Sequence, residues 1–390
     1  MNIGIVCYAS MGGSGIVATE LGKALADRGH DVHVISADQP FRLGGFHPGL
    51  TLHRVETPSY PLFREPQYLL SVANTIVQVT REHRLQIAHA HYAVPHATAA
   101  VLARQVLAST HPADDVPAVV TTLHGTDITV VGADPSYSEI VRYSIEQSDA
   151  VTAVSQSLRT TTLTELAVRR PVDVIPNFLD CDAYERTEIP ALRSRYTGGD
   201  ADRRVIVHVS NFRPVKRIES VIEIFARIAK AMPATLLMVG DGPEVPAARR
   251  LAQGLGVAKL VHWLGPQENV LPLLSIADLF LLPSSQESFG LAAMEAMACE
   301  VPVVASNAGG LPEVIEHGVT GFLHPVDDLQ AMADSGIALL RDPARHAAVA
   351  TAAARSVRRR FCAEGVVPQY ELLYENAIAA RAASSRKEPR

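Results

Sequence analysis

Apolar and polar positions along this chain switch repeatedly between two periods. Short, mostly apolar runs at 3–7, 32–36, 51–55, 87–90, 118–123 and 150–153 predict strands. The segments 15–29, 68–83 and 97–108 between them carry the spacing of amphipathic helices. A further run at 172–175 leads into Pro176-Asn177-Phe178-Leu179-Asp180, which reads as a turn and linker. A second series of strand-like runs follows at 205–209, 235–239, 261–264, 279–282, 303–305 and 321–323. Strands alternating with helices are the pattern of a parallel sheet covered on both faces. Two such series predict an α/β chain of two Rossmann-like domains, 1–175 and 176–365, facing a central cleft. Ligands of such sheets bind beyond the carboxyl ends of the strands. No short internal repeat is present.

Composition narrows the class. The 390 residues exceed one small core, and 47% hydrophobic with 19% charged residues is ordinary for a globular protein. A formal charge of −6 argues against nucleic acid as a partner. No apolar run is long enough for membrane insertion, and Met1-Asn2 leads directly into a strand rather than a signal peptide. The four cysteines, Cys7, Cys181, Cys299 and Cys362, lack CxxC spacing and read as buried or incidental thiols, which predicts a reducing cytoplasm. Arg358-Arg359-Arg360 reads as a solvated helix face, and 384–390 as a frayed tail.

The chemistry concentrates near Glu287. A strand-like run, 277–282, leads to Glu287-Ser288-Phe289-Gly290-Leu291, and 291–299 reads as a helix. Gly290 and Leu291 then expose free N–H groups at a helix start, a seat for phosphate. Glu287 stands before that seat, and Glu295 stands one turn past Leu291. Lone glutamates in such places are more often first-turn charges or solvated faces. The context changes the balance. A second strand-like run, 301–306, leads to Asn307-Ala308-Gly309-Gly310-Leu311-Pro312-Glu313-Val314, a glycine turn opening another helix, and then to His317-Gly318-Val319-Thr320-Gly321. Amide donors between two carboxylates suit a nucleotide sugar, with diphosphate on the amides and hydroxyls on the carboxylates.

This block resembles the nucleotide-sugar site of family-4 retaining glycosyltransferases, which carry an E-x7-E motif at this place. The resemblance covers nearly the whole chain. It implies the GT-B fold, with a last helix, about 366–390, crossing back to the first domain. It implies that Glu295 holds the ribose and Glu287 the donor sugar. Relatives hold the base with backbone groups where this chain has Pro266 and Gln267. Arg213 and Lys216, after the strand at 205–209, would meet the leaving diphosphate. Many relatives carry G-R-x-x-x-x-K there. This chain has Asn211 at the arginine position and Arg213 two residues on, which leaves the pairing of cations with phosphates open. Gly240-Asp241-Gly242 reads as a mainly structural turn.

The first domain supplies the acceptor side in this reading. Gly12, Gly13 and Ser14 follow the first strand and offer backbone N–H groups. The same loop, read as Gly13-x-Gly15-x-x-Ala18 with Asp38 beyond the second strand, fits a loose dinucleotide fingerprint, so an NAD-dependent oxidoreductase is the reading from another class. It leaves the Glu287 block unexplained. His124, in Thr122-Leu123-His124-Gly125-Thr126-Asp127, ends a strand and is taken toward the donor sugar; Asp127 is a common cap. Tyr92 and Thr122 offer hydroxyls, and Arg142 a planar fork for an anionic acceptor, against the bland role of a solvated charge. His89 and His91 share a strand face, but nothing nearby completes a metal shell, and no metal is expected.

The phrases Cys7-Tyr8-Ala9-Ser10-Met11-Gly12-Gly13-Ser14-Gly15, His91-Tyr92-Ala93-Val94-Pro95-His96, Thr122-Leu123-His124-Gly125-Thr126-Asp127 and Ser210-Asn211-Phe212-Arg213 resemble one branch of the family in particular. That resemblance implies UDP-N-acetylglucosamine as donor, L-malate as acceptor and a product of bacillithiol biosynthesis. It implies no required cofactor, with front-face displacement in which the departing β-phosphate takes the acceptor proton. Inositol phosphate as acceptor, another donor with a lipid or polysaccharide acceptor, a UDP-sugar epimerase, and a homo-oligomeric state stay open.

Overall fold

The computed structural model describes residues 1–9, 12–59 and 67–385 and contains two compact units. Met1–Phe178 and Ala363–Arg390 form the first unit, and Leu179–Cys362 the second. Ser10, Met11 and the end of the tail, 386–390, lie outside the described residues.

The first unit holds a seven-stranded parallel sheet. Its strands are β1 (Asn2–Val6), β2 (Asp31–Ser36), β3 (Leu50–Arg54), β4 (Ile87–His91), β5 (Ala118–Leu123), β6 (Ala150–Ala153) and β7 (Asp173–Val174), in the order β3-β2-β1-β4-β5-β6-β7. The central strands are buried throughout because helices cover both faces, which is why they read as apolar runs; β3, at the edge, is only half-buried. The strand order reverses between β1 and β4. Ile3 pairs with Val32 on one side and Ile87 on the other. The loops leaving β1 and β4 therefore diverge, as ligand-binding loops of such sheets do.

The last helix, Ala363–Ser385, belongs to this unit. Tyr370 and Tyr374 are fully buried with Ile3, Ile5 and Val120. Arg28 fixes the helix from its outer side with two hydrogen bonds to Glu371, at 2.8 and 2.7 Å.

The second unit holds a six-stranded parallel sheet of β8 (Arg204–Val209), β9 (Ala234–Val239), β10 (Val261–Gly265), β11 (Leu279–Leu282), β12 (Val303–Ser306) and β13 (Phe322–His324). Their order, β10-β9-β8-β11-β12-β13, reverses between β8 and β11. Helix Ile218–Ala231 buries Val221, Ile222, Phe225 and Ile228 in a core shared with Met332, Ala333 and Leu339 of helix Leu329–Arg341. The helix expected after Gly309-Gly310 is a single turn, Leu311–Val314, because Ile315 is already extended.

The cysteine reading needs correction. Cys181 and Cys362 form a disulfide, with Cα atoms 5.4 Å apart and a sequence separation of 181. Pairing over that distance leaves no spacing signal. Only Cys7 and Cys299 remain buried thiols, both pushed up to about 12 by burial. The cysteines therefore do not argue for a reducing compartment. Among the described residues, no helix is long and apolar enough to cross a membrane.

Candidate active site

In the second unit the site grows from the loops that leave β8, β11 and β12. β11 ends at Leu282, and helix Leu291–Ala298 begins after Gly290. Gly290 has φ +102°, a left-handed conformation that a side chain strains, and a Cβ there would strike Leu311. The next loop presses on this one. The Gly310 N–H donates to the Glu287 carbonyl at 2.8 Å, and a Cβ on Gly309 or Gly310 would collide with the backbone of Glu287 or Ser288. The glycine pair thus exists so that one loop can brace the other.

Glu287 is held at its side chain as well. Its Oε1 accepts from Lys216 Nζ at 2.6 Å and from Ser284 Oγ at 2.9 Å. The Glu287 side chain is 10% exposed and that of Lys216 19%, so this pair is screened far less than a surface one. Lys216 ends the short turn Pro214–Lys216 after β8, and Arg213 stands exposed just before that turn. Glu295 is buried, and Tyr184 Oη donates to its Oε1 at 2.6 Å. Helix geometry leaves the first amides of Leu291–Ala298 without intrahelical partners between these two carboxylates.

Gly240-Asp241-Gly242 is structural here. A Cβ on Gly242 would meet the carbonyls of Asn211 and Phe212, and the Glu244 N–H donates to the Phe212 carbonyl at 3.2 Å. Phe212 is fully buried at φ +37°, so this close packing fixes the loop carrying Arg213. Pro266 and Gln267 follow β10, separated from β8 by β9; Gln267 Nε2 donates to the Leu264 carbonyl at 2.8 Å. His208 of β8 lies beneath the site. It bonds the Leu281 carbonyl and Ser210 Oγ at 2.8 Å each, and burial lowers it to about 4.

In the first unit, histidines and tyrosines gather at the carboxyl ends of β1, β4 and β5. His91 Nδ1 and His124 Nε2 are 2.9 Å apart. Burial, with the charge of His96 adding to it, lowers His124 to about 3, so the pair shares one hydrogen bond between neutral rings. Tyr92, at φ +92°, sets its ring 5.4 Å from His124 and 5.7 Å from Tyr8. Tyr8 packs on His96 at 4.4 Å. Asp127 is buried and accepts from the N–H groups of Gly125, His124 and Ala93 at 2.8, 3.2 and 3.3 Å; burial raises it to about 6. It organises the turn that carries His124.

Three acceptor-side expectations fare differently. Helix Gly13–Asp27 opens at Gly13, leaving the amides of Gly13 and Ser14 without helical partners, with Gly13 exposed and the Ser14 side chain buried. Thr122 must be corrected. Its hydroxyl is fully buried and bonds His89 Nε2 and Thr152 Oγ1, both at 2.7 Å, because its side chain takes the face of β5 that looks into the core. It has no hydroxyl to offer a substrate in this arrangement. Arg142, on helix Ser138–Gln147, pairs with Glu139 one turn earlier at 2.5 Å. His89 is also committed, to Tyr374 Oη at 2.8 Å and to Thr122.

Sequence reasoning missed Tyr184, His208, Ser284 and Tyr8. Ser284, three residues before Glu287, was within reach of a local reading. Tyr184 was not, since it lies 111 residues from Glu295.

Residues 194–356 match the model for glycosyl transferases group 1, and residues 11–183 that for glycosyltransferase family 4. N-acetyl-alpha-D-glucosaminyl L-malate synthase of Bacillus anthracis is 43% identical over 378 residues, 97% of each chain. The chain belongs to the family-4 glycosyltransferases. A D-inositol 3-phosphate glycosyltransferase of Mycolicibacterium paratuberculosis is 33% identical over 215 residues, 53% of this chain and 48% of its own. Among solved structures, a sucrose-phosphate synthase from Thermosynechococcus elongatus superposes with a TM-score of 0.78 at 23% identity, over 97% of this chain and 100% of its own. The fold is accordingly GT-B, two Rossmann-like domains, and the oxidoreductase reading of the glycine loop is set aside.

Proposed function

We propose that this glycosyltransferase moves N-acetylglucosamine from UDP-N-acetylglucosamine to the hydroxyl of L-malate with retention of the α configuration, the opening step of bacillithiol biosynthesis. The observation that carries the reading is the 43% identity, over nearly the full length of both chains, to the Bacillus anthracis synthase. The donor site of this reading is the second unit's loop system. Amides at Gly290 and Leu291 take the diphosphate, Glu295 the ribose and Glu287 a sugar hydroxyl, with Pro266 and Gln267 near the base. Arg213 and Lys216 stabilise charge on the departing phosphate. The acceptor side is the first unit's, with Gly13 and Ser14 amides, Tyr92 and Arg142 toward malate and His124 toward the sugar. As the anomeric C–O bond to UDP breaks, the malate oxygen bonds to the anomeric carbon on the same face. Its proton passes to the departing β-phosphate. Glu287 does not act as a nucleophile, because its carboxylate is already engaged by Lys216 and Ser284. The reading needs no cofactor and places the enzyme in the cytoplasm, where nucleotide sugars are made.

The test is UDP release from UDP-N-acetylglucosamine with L-malate, other hydroxy acids and inositol phosphate. Turnover on malate is expected. Turnover on inositol phosphate alone would instead favour the second reading, which the 33% identical inositol-phosphate enzyme supports.

A further inference from the structure

At the edge of the first unit's sheet, three imidazoles converge beside β2 and β3. His33 is the third residue of β2, His53 lies on the edge strand β3, and His83 ends helix Tyr68–His83. Asn2, the first residue of β1, holds the His83 carbonyl at 2.7 Å and so ties the end of that helix to the sheet. The first unit's candidate site residues gather elsewhere, at the carboxyl ends of β1, β4 and β5.

We propose that His33, His53 and His83 bind a Zn²⁺ ion that clips the edge strand and the helix to the sheet. One nitrogen from each ring lies within 4.8 Å of the others. His33 Nδ1 and His53 Nε2 are already 2.9 Å apart, and the His33 and His83 ring centres 4.2 Å. Nitrogens at ~2.0–2.1 Å from a tetrahedral zinc are roughly 3.3 Å from one another. Rotation of the half-buried His53 and His83 rings covers that difference, while buried His33 stays fixed.

The second observation concerns the far side of His33. Its Nε2 is buried without a hydrogen-bond partner, and Asp31 Oδ2 lies 3.4 Å away. Binding through Nδ1 would fix the other tautomer, with an N–H on Nε2 aimed at that carboxylate. A carboxylate behind a histidine is the usual support of a metal ligand, setting ring orientation and raising basicity. Three neutral imidazoles suit zinc better than magnesium or calcium, which prefer oxygen. An open pocket of about 1000 Å³, lined by His53, Arg54 and Glu82 among others, gives the ion a path and leaves room for water as fourth ligand.

Tag-free enzyme titrated with Co²⁺ should show saturable visible absorption at one equivalent, displaced by Zn²⁺. Calorimetry with Zn²⁺ should give at least tenfold weaker binding for His53→Ala and His83→Ala. For Asp31→Asn the weakening should be roughly tenfold to a hundredfold. Zn²⁺ should raise the melting temperature of wild type and not that of His53→Ala. UDP release at wild-type rates by these variants, with or without chelator, reports that they are folded. Absence of saturable Co²⁺ absorption, or unchanged zinc affinity in the His53→Ala/His83→Ala double variant, would reduce the cluster to stacked, hydrogen-bonded rings and overturn the site.

Discussion

Lys216 Nζ donates to Glu287 Oε1 at 2.6 Å across 71 residues of sequence, joining the loop after β8 to the loop after β11. Each residue therefore sets the position of the other. A cation assigned to phosphate and a carboxylate assigned to sugar share one hydrogen bond before any ligand arrives. Donor binding must divide that bond or build on it.

Glu287→Ala should lower turnover roughly tenfold to a hundredfold, the worth of a charge-assisted hydrogen bond of about 1.5–3 kcal/mol. Lys216→Ala should do similar damage. Because the two are in contact, the double variant should lose less than the product of the single losses. Steady-state UDP release on all four proteins gives the cycle. Strict additivity would mean the pair acts as two independent groups.

Glu295 and Tyr184 make the matching prediction for the nucleotide. Glu295→Ala should mainly weaken UDP binding, measured by calorimetry, with a smaller effect on turnover. Tyr184→Phe removes only the hydroxyl that orients the carboxylate, so roughly a few-fold weaker binding is expected from a net ~0.5–1.5 kcal/mol. If UDP affinity is unchanged in both variants, Glu295 is a buried structural acid and the ribose assignment fails.

What the sequence made legible follows from distance along the chain. Apolar runs such as 279–282 and 303–305 announced buried parallel strands because both faces are covered. Gly290, Gly309 and Gly310 stood out because a close approach of loops admits no side chain. Relations between distant residues left no mark. Tyr184 on Glu295, His91 on His124 and Cys181 on Cys362 depend on which strands and loops the sheet order makes neighbours. Thr122 shows the finer limit: naming a strand end does not say which face a given hydroxyl takes.

Transfer should survive excess EDTA, since the cations and helix-start amides assigned to the diphosphate are the protein's own. One chelated sample gives two readouts. UDP release should hold steady, while any melting-temperature drop reports on the histidine cluster at β2 and β3. Complete loss of transfer, restored by Mg²⁺ or Mn²⁺, would put a metal in the reaction.

Acid should destabilise the fold over a defined window. Burial depresses His89 and His124 to about 3, and His96 and His208 to about 4, from 6.5. A base whose folded value is depressed contributes stability that is fully present above the unfolded value. It is lost as pH falls, because the unfolded chain takes up the proton first. Melting temperature should be flat above about pH 7 and fall steadily from about pH 6.5 toward pH 4. His208→Gln should show a shallower fall than wild type; an identical slope would remove His208 from the buried neutral set.

The disulfide closes the second unit on itself. Cys181 and Cys362 lie just inside the two places where the chain passes between units. Closing so long a loop restricts the unfolded chain, for which ~2–5 kcal/mol is a typical gain. Cys181→Ser/Cys362→Ser should therefore melt several degrees lower than oxidised wild type, and reductant should bring wild type down to the variant. A variant insensitive to the loss would show that the crosslink adds nothing the packing of Phe289 on Phe361 does not already supply.

Arg142 carries the boldest assignment and the clearest rival. Its guanidinium lies 2.5 Å from Glu139 on the same exposed helix face, with the arginine side chain 43% and the glutamate 76% exposed. Such a pair is worth roughly 0–1 kcal/mol, so a purely structural Arg142 could be removed almost silently. A malate-binding Arg142 could not, since a planar fork to a carboxylate is lost with it. Glu139 separates the two roles. If Arg142 serves malate, Glu139 competes for the same N–H donors, and Glu139→Gln should leave the Michaelis constant for malate unchanged or lower it. Arg142→Ala should raise that constant strongly while UDP-sugar affinity stays the same. Malate kinetics by UDP release and donor affinity by calorimetry on the same preparations decide it. Silence of both variants would confine Arg142 to its helix and leave Tyr92 with the amides of Gly13 and Ser14 to hold the acceptor.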